Sequence, residues 1–407
     1  MSQAFIISIG DELNSGEILN TNAVYIADQL INRGIYVTSI LTLPDEHDTA
    51  VRYIRRIINE DGVYIFTGGL GGTRDDITRG IISEVFDREL RIDREKAAKL
   101  KKWYTRKKRD FVEKDIMQAS YPDGGRLLDN ETGLAYGFFL KAGGKYIFSL
   151  PGVPKEMESM FNNEVIPILA AENRFSDNYR HVTMLFSGIG EYTLDRRIDP
   201  IISRYKDIKY GTRAGYGLIK VRVESIDIDI APCVFEIEKS LNRYYISRDE
   251  KNIEQVVGEW LKKKHLSLSV AESCTAGLLS KVITDVPGSS GYFLGGVVSY
   301  SNEIKKRVLG VKEDTLKKYG AVSSEIAGEM ARGVQERLGS DISLAVTGIA
   351  GPGGGSKEKP VGTVFVCLYK SGIDPVISKN TFPGGRETMR MASVNKALFM
   401  LLKYLQG

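Results

Sequence analysis

Ser269-Val270-Ala271-Glu272-Ser273-Cys274-Thr275-Ala276-Gly277 is where two kinds of periodicity meet. Upstream, the apolar run Leu266 to Val270 predicts a buried strand. Downstream, a helical pattern is predicted from Thr275. A strand that turns directly into a helix presents a side chain beside the unpaired N–H groups of the helix start. This is where an α/β domain places a nucleophile. Ser273, Cys274 and Thr275 each carry a hydroxyl or thiol, so the turn offers more than one candidate.

The surrounding sequence continues the α/β pattern. A helix is predicted over Asn252 to Lys263 and a Gly-rich turn over Val286-Pro-Gly-Ser-Ser290. A strand over Gly296 to Ser299 comes next, then helices near 302–309, 313–318 and 324–338. The strand Ile342 to Val346 runs into Thr347-Gly348-Ile349-Ala350-Gly351-Pro352-Gly353-Gly354. Two strands near 361–369 and 375–382 and a helix from Glu387 close the chain. In that helix Met389, Ala392, Ala397, Leu398, Leu401 and Leu405 form a core-facing stripe.

Chemistry at this turn is limited by the supply of bases. The chain has three histidines, His47, His181 and His265, and none is placed in sequence to activate Cys274. A serine needs another base, and a buried lysine with a lowered pKa can serve. Lys305, in Tyr300-Ser301-Asn302-Glu303-Ile304-Lys305, lies just after a predicted buried strand. Thr347 and the Gly-rich turn behind it, with Gly348, Gly351 and Gly353, can hold a phosphate or an oxyanion through backbone N–H groups. Ser290 adds a hydroxyl. The plainer readings are a serine acting only as an N-cap and a cysteine packed as a small apolar residue.

The N-terminal part alternates short strands and helices. Strands are expected at Ala4 to Gly10, Tyr36 to Leu43 and Val63 to Phe66. Helices are expected from Asn20 to Arg33 and from a cap at Asp48 to Asn59. This pattern predicts a doubly wound parallel sheet, whose ligands bind at the carboxyl ends of the strands. Two acidic clusters fall there, Asp11-Glu12 and Asp75-Asp76, the second after Thr67-Gly68-Gly69-Leu70-Gly71-Gly72-Thr73. Glycines let the backbone approach a phosphate, and adjacent carboxylates suit a hard divalent cation bridging phosphates. Asp11, Asp75 and Asp76 are the metal candidates. Gly68, Gly69, Gly71 and Thr73 are the ligand-binding candidates. A tight turn before an acidic helix start is the structural alternative. A strand Lys145 to Leu150 and a helix opened by Pro154 complete this part.

Three domains are expected: 1–172, a small α+β connecting domain over 173–250, and 251–407. At 407 residues, with 42% apolar and 27% charged residues, the composition is that of an ordinary globular chain. Cys233, Cys274 and Cys367 lie far apart, against a disulfide or zinc framework. No membrane span or leader is read, and a cytoplasmic location is expected. A net charge of +4 does not by itself imply nucleic-acid binding. The basic stretch 94–114, with Trp103, Tyr104 and Phe111 interleaved, reads as a solvated helix face or as a phosphate-tracking helix.

Several strings together resemble one family. Gly10-Asp-Glu-Leu13, Gly16 with Asn22, Thr67-Gly-Gly-Leu-Gly71 with Asp75-Asp-Ile-Thr78, and Leu150-Pro-Gly-Val-Pro-Lys-Glu-Met157 resemble the N-terminal domain of the CinA family, a MoaB/MogA-like fold. Ala271-Glu-Ser-Cys-Thr-Ala-Gly277, Tyr300-Ser-Asn-Glu with Lys305, Gly320-Ala-Val-Ser323 and Thr347-Gly-Ile-Ala-Gly-Pro-Gly-Gly354 resemble its C-terminal deamidase domain. The resemblance implies hydrolysis of nicotinamide mononucleotide (NMN) by Ser273 and Lys305, supported by Ser290, Tyr300 and Thr347. It implies no cofactor for that reaction. For the N-terminal domain it implies hydrolysis of ADP-ribose to AMP and ribose 5-phosphate. That reaction uses a divalent metal such as cobalt or magnesium, aided by potassium, and Asn22 joins the ligand-binding residues. Both substrates arise from NAD breakdown, so NAD salvage and a homodimer are the implied context. The rival expectations are an N-terminal molybdopterin- or nucleotide-binding module without turnover, and a DNA-linked competence factor. Ala276 stands where the family has glycine, and a helical conformation there would accept its methyl group.

Overall fold

The structure is a computed structural model that describes residues 2–73, 76–176, 178–248 and 251–407, leaving the side chain of Glu113 aside. Its contacts divide the chain into two compact units, Met1–Tyr179 and Arg180–Gly407.

The first unit is built on a six-stranded sheet in the order Tyr36–Leu43, Gln3–Ile9, Gly62–Thr67, Lys145–Leu150, Gly137–Ala142, Gly125–Leu128. The first four strands pair in parallel and the last two add antiparallel. Side chains of one strand alternate between two cores, as the two-residue repeat of a strand requires. Phe5, Ile7 and Ile9 join Tyr64 and Phe66 on one face, while Ala4 and Ile6 join Val63, Ile65 and Phe148 on the other. Burial on both faces explains why these strands read as unbroken apolar runs. The helix expected to be capped by Asp48 is His47–Ile57, and its cap is Glu46, whose carboxylate accepts the Thr49 N–H at 3.0 Å. The basic helix Arg94–Arg106 buries only Leu100. Its aromatic neighbours pack on one another, Tyr104 lying 5.2 Å from Phe111 and 5.5 Å from Trp103 between ring centres.

The second unit contains two sheets. The connecting segment forms a four-stranded sheet in the order Ile208–Gly215, Leu218–Ile226, Tyr179–Ser187, Tyr245–Arg248. Leu185 and Ile246 from this sheet share a core with Val257, Leu268 and Leu398. The segment therefore packs with the C-terminal region rather than as a separate unit. The other sheet runs Phe293–Val298, Leu268–Glu272, Ile342–Gly348, Thr363–Tyr369, Val376–Thr381. Its first three strands are parallel and its last two antiparallel. The closing helix Arg386–Gln406 buries the whole predicted stripe from Met389 to Leu405. No helix among the described residues is long and apolar enough to cross a membrane.

Candidate active site

The strand expected at Leu266 to Val270 lies two residues later, at Leu268–Glu272, and the helix after it begins only at Leu278. The five residues between form a turn that is not yet helical. Glu272 is the reason. Its side chain is fully buried, and its carboxylate accepts the N–H groups of Gly277 at 2.9 Å, Leu279 at 3.0 Å and Ser280 at 2.8 Å. The Ser280 hydroxyl donates to it as well, at 2.6 Å. A carboxylate is thus placed on the unpaired donors of the helix start, where its charge also complements the helix dipole. Ser273, for which the plainer alternative was a mere N-cap, is released from that duty. The signal was an acidic residue ending an apolar strand before a helical pattern.

The same turn contains a backbone feature that corrects the reading of Ala276. Its φ is +49°, in the left-handed region and not in a right-handed helix, and Gly277 is next at +92°. A left-handed alanine costs about 1–2 kcal/mol relative to its ordinary conformation. Ala276→Gly is therefore expected to stabilise the second unit by about 0.5–1 kcal/mol, after the greater unfolded-state entropy of glycine is counted. Urea unfolding checks this, and a midpoint at or below that of the parent would contradict it.

Ser273 and Lys305 come together. Lys305 Nζ lies 3.0 Å from Ser273 Oγ, and it donates to the carbonyls of Ser299 at 2.7 Å and Tyr300 at 3.5 Å. Lys305 comes from the helix Asn302–Leu309, started by the Ser301 hydroxyl accepting the Ile304 N–H. Its side chain is 1% exposed, and burial lowers its pKa below the ordinary lysine value. A neutral amine has two N–H bonds and one lone pair. The two carbonyls use the N–H bonds, which leaves the lone pair for the serine proton. Cys274 is 4% exposed and burial pushes its thiol up to about 12, so almost no thiolate exists near neutrality.

A cavity of about 210 Å³ opens over this pair, lined by Cys274, Tyr300, Thr347, Gly348, Ala350 and Arg386 as well. Thr347 is buried and its hydroxyl donates to the Ala321 carbonyl at 2.8 Å, so it fixes a wall. Arg386 was not foreseen; it lies far along the chain, at the start of the last helix. It donates to the Tyr300 hydroxyl and the Gly351 carbonyl, both at 3.0 Å. Arg390 donates to the Thr275 carbonyl at 2.7 Å and so braces the nucleophile turn. Ser290 is exposed on the short turn Ser289–Gly291 and does not line the cavity, nor do Gly351 and Gly353.

In the first unit a larger cavity, about 780 Å³, lies at the carboxyl ends of the parallel strands. Asn22, Gly68, Gly69, Gly71 and Asp76 line it. Gly68 has φ +95°, and a Cβ there would meet the Ile9 carbonyl at 2.3 Å, so only glycine fits. Asp76 accepts the N–H groups of Gly71 and Thr73 and the Thr73 hydroxyl, each at 2.6 Å. The N–H groups of Gly71 and Thr73 are therefore spent on the loop itself. Those of Gly69, Leu70 and Gly72 make no hydrogen bond among the described residues. Asn22 donates to the Gly152 carbonyl at 2.7 Å and joins two walls. Asp75 lies outside the described residues. Asp11 does not line the cavity, and its carboxylate accepts the Asp45 N–H at 3.1 Å. Among the described residues no three His, Cys, Asp or Glu side chains converge on one point. With Asp76 also engaged by the loop, the described residues do not fit a metal held by protein groups alone.

Comparison with known proteins matches a family within each unit. The CinA C-terminal domain family matches residues 250–405, and the probable molybdopterin binding domain family matches residues 5–171. A CinA-like protein of Syntrophomonas wolfei is 37% identical over 417 residues, covering 100% of both chains. A CinA-like protein of Thermotoga maritima is 37% identical over 415 residues, covering 100% of this chain and 99% of its own. The solved structure of the competence/damage inducible protein CihA from Agrobacterium tumefaciens is 37% identical over 39% of this chain and 98% of its own, with a TM-score of 0.37. With two such relatives matched from end to end, the chain belongs to the CinA family.

Proposed function

We propose that the second unit is an amidohydrolase that converts nicotinamide mononucleotide to nicotinate mononucleotide and ammonia. The observation that carries this is the buried, carboxylate-free lysine 3.0 Å from Ser273 Oγ. Neutral Lys305 takes the Ser273 proton as the oxygen attacks the carboxamide carbon. The tetrahedral intermediate collapses, the Lys305 ammonium gives its proton to the departing nitrogen, and ammonia leaves an ester on Ser273. Lys305 then takes a proton from water, hydroxide adds to the ester carbonyl, and the acid departs as Ser273 regains its proton. Not every N–H of the turn can serve the oxyanion. That of Ser273 is bonded to the Val346 carbonyl and that of Ala276 to the Ser273 carbonyl, while Gly277 caps onto Glu272. Cys274 and Thr275 supply the remaining N–H groups, and each such donor is worth about 3 kcal/mol in the transition state. Ammonia release from NMN by the purified chain is the test, and its absence would overturn the assignment.

The cavity of the first unit supports a second reading, carried by the glycine loop at the carboxyl end of the strand Gly62–Thr67. The N–H groups of Gly69, Leu70 and Gly72, unbonded among the described residues, suit a nucleotide pyrophosphate, and the substrate proposed is ADP-ribose. AMP is expected when ADP-ribose is incubated with the protein and cobalt. Binding of ADP-ribose without AMP formation would reduce this unit to a binding module.

A further inference from the structure

The second unit has another cavity, of about 740 Å³, that shares no lining residue with the one over Ser273. Arg243, Trp260, Lys396, Phe399, Lys403 and Tyr404 line it, and none of its lining side chains is acidic. Lys396 has no hydrogen bond or ion pair among the described residues, and burial lowers its pKa. Lys403 donates only to neutral oxygens, the carbonyls of Tyr245 at 2.8 Å and Asn242 at 3.2 Å and the Gln406 side chain at 2.9 Å. Its pKa too is lowered by burial. Arg243 is exposed and Lys396 and Lys403 are half-buried, and the one negative group at the cavity is the terminal carboxylate of Gly407, which forms no ion pair with them among the described residues. In the remaining wall Trp260, Phe399 and Tyr404 are aromatic, while Leu368, Val376 and Met400 are aliphatic. The ammonium groups of Lys263 and Lys264 lie 4.9 and 5.8 Å from the Trp260 ring, adding positive potential at its rim.

A site that pairs cations lacking an acidic side-chain partner with aromatic rings suits a ligand with an anionic end and a flat ring. A volume of about 740 Å³ is ample for such a molecule. We propose that this cavity binds a nucleoside monophosphate, its phosphate on Lys396 and Arg243 and its base against the wall formed by Trp260, Phe399 and Tyr404. The proposal does not depend on what Ser273 hydrolyses.

The chain has two tryptophans, Trp103 and Trp260, so Trp103→Phe leaves Trp260 as the sole reporter in the full-length protein. Titration with AMP is expected to change Trp260 fluorescence saturably. Adenosine and inorganic phosphate should each bind at least tenfold more weakly. Lys396→Ala in that background should weaken AMP at least tenfold with an unchanged circular dichroism spectrum. If that variant does not fold, exposed Arg243→Ala carries the same expectation. A flat response up to about 1 mM AMP, an affinity indifferent to both variants, or equal binding of adenosine would overturn the proposal.

Discussion

Ser273→Ala is expected to lower ammonia release from NMN by about 10⁴-fold or more while leaving the fold intact, because the variant loses the only oxygen that can become the ester. The size of the effect comes from the isolation of this oxygen. Cys274, the nearest rival, is 4% exposed with its thiol pushed up to about 12, so it cannot replace the serine near neutral pH. The turn itself is held by Glu272 and Arg390, neither of which bonds the Ser273 hydroxyl. Removing that hydroxyl therefore removes chemistry without removing a structural tie, apart from its contact with Lys305. Unchanged urea unfolding together with lost turnover is the expected pair of results. Retained turnover would shift the nucleophile to Cys274 and overturn the dyad.

Lys305→Arg is expected to cost about 10³-fold in kcat/KM, since a guanidinium keeps its proton and cannot act as the base. The parent protein should show an acidic limb in kcat/KM that rises with pH, as Lys305 becomes neutral at a pKa held below 10.5 by burial. The arginine variant should lose that limb. The same group affects stability, with a definite sign. The unfolded chain holds the lysine proton up to about 10.5, whereas the native state releases it earlier. The native state therefore carries the full cost of a buried charge at pH values below its lowered pKa. Stability then rises with pH across the window between that value and 10.5. A limb that survives in Lys305→Arg, or a rate close to the parent's, would remove Lys305 from the proton path.

Much of this site was legible in the order of residues. Ser273 stood at a strand end, and the shortage of histidine turned attention to a lysine. Lys305 lay just beyond a predicted strand, and a serine at its helix start capped it as the local pattern required. Short-range rules suffice for such features, because strand period, caps and turns are set by residues within a few positions of one another. The left-handed backbone of Gly68 is likewise what a glycine after a strand announces, whereas its close approach to the Ile9 carbonyl on another strand is not. The family resemblance drew on these strings and supplied the roles that local chemistry left open.

The sequence alone determined the order of the parallel strands and their helices, the two-faced burial of those strands and the candidate pair Ser273 and Lys305, but not the antiparallel strands Gly125–Leu128 and Gly137–Ala142. The tertiary structure decided what no local pattern contains. It put Lys305 Nζ beside Ser273 Oγ and closed both of its N–H bonds with carbonyls. It brought Arg386 back to Tyr300 and Arg390 onto the turn, both from the last helix. It left Ser290 exposed outside the cavity and set Ala276 in a left-handed conformation. It also spent Asp76 on its own loop. The Asp76 bonds and the Ala276 backbone are local, but the meetings of Lys305 with Ser273 and of the two arginines with Tyr300 and Thr275 depend on which atoms meet across long stretches of chain. Only the packing of the sheets and helices settles that, because distances between remote residues are not encoded in the period of any one segment.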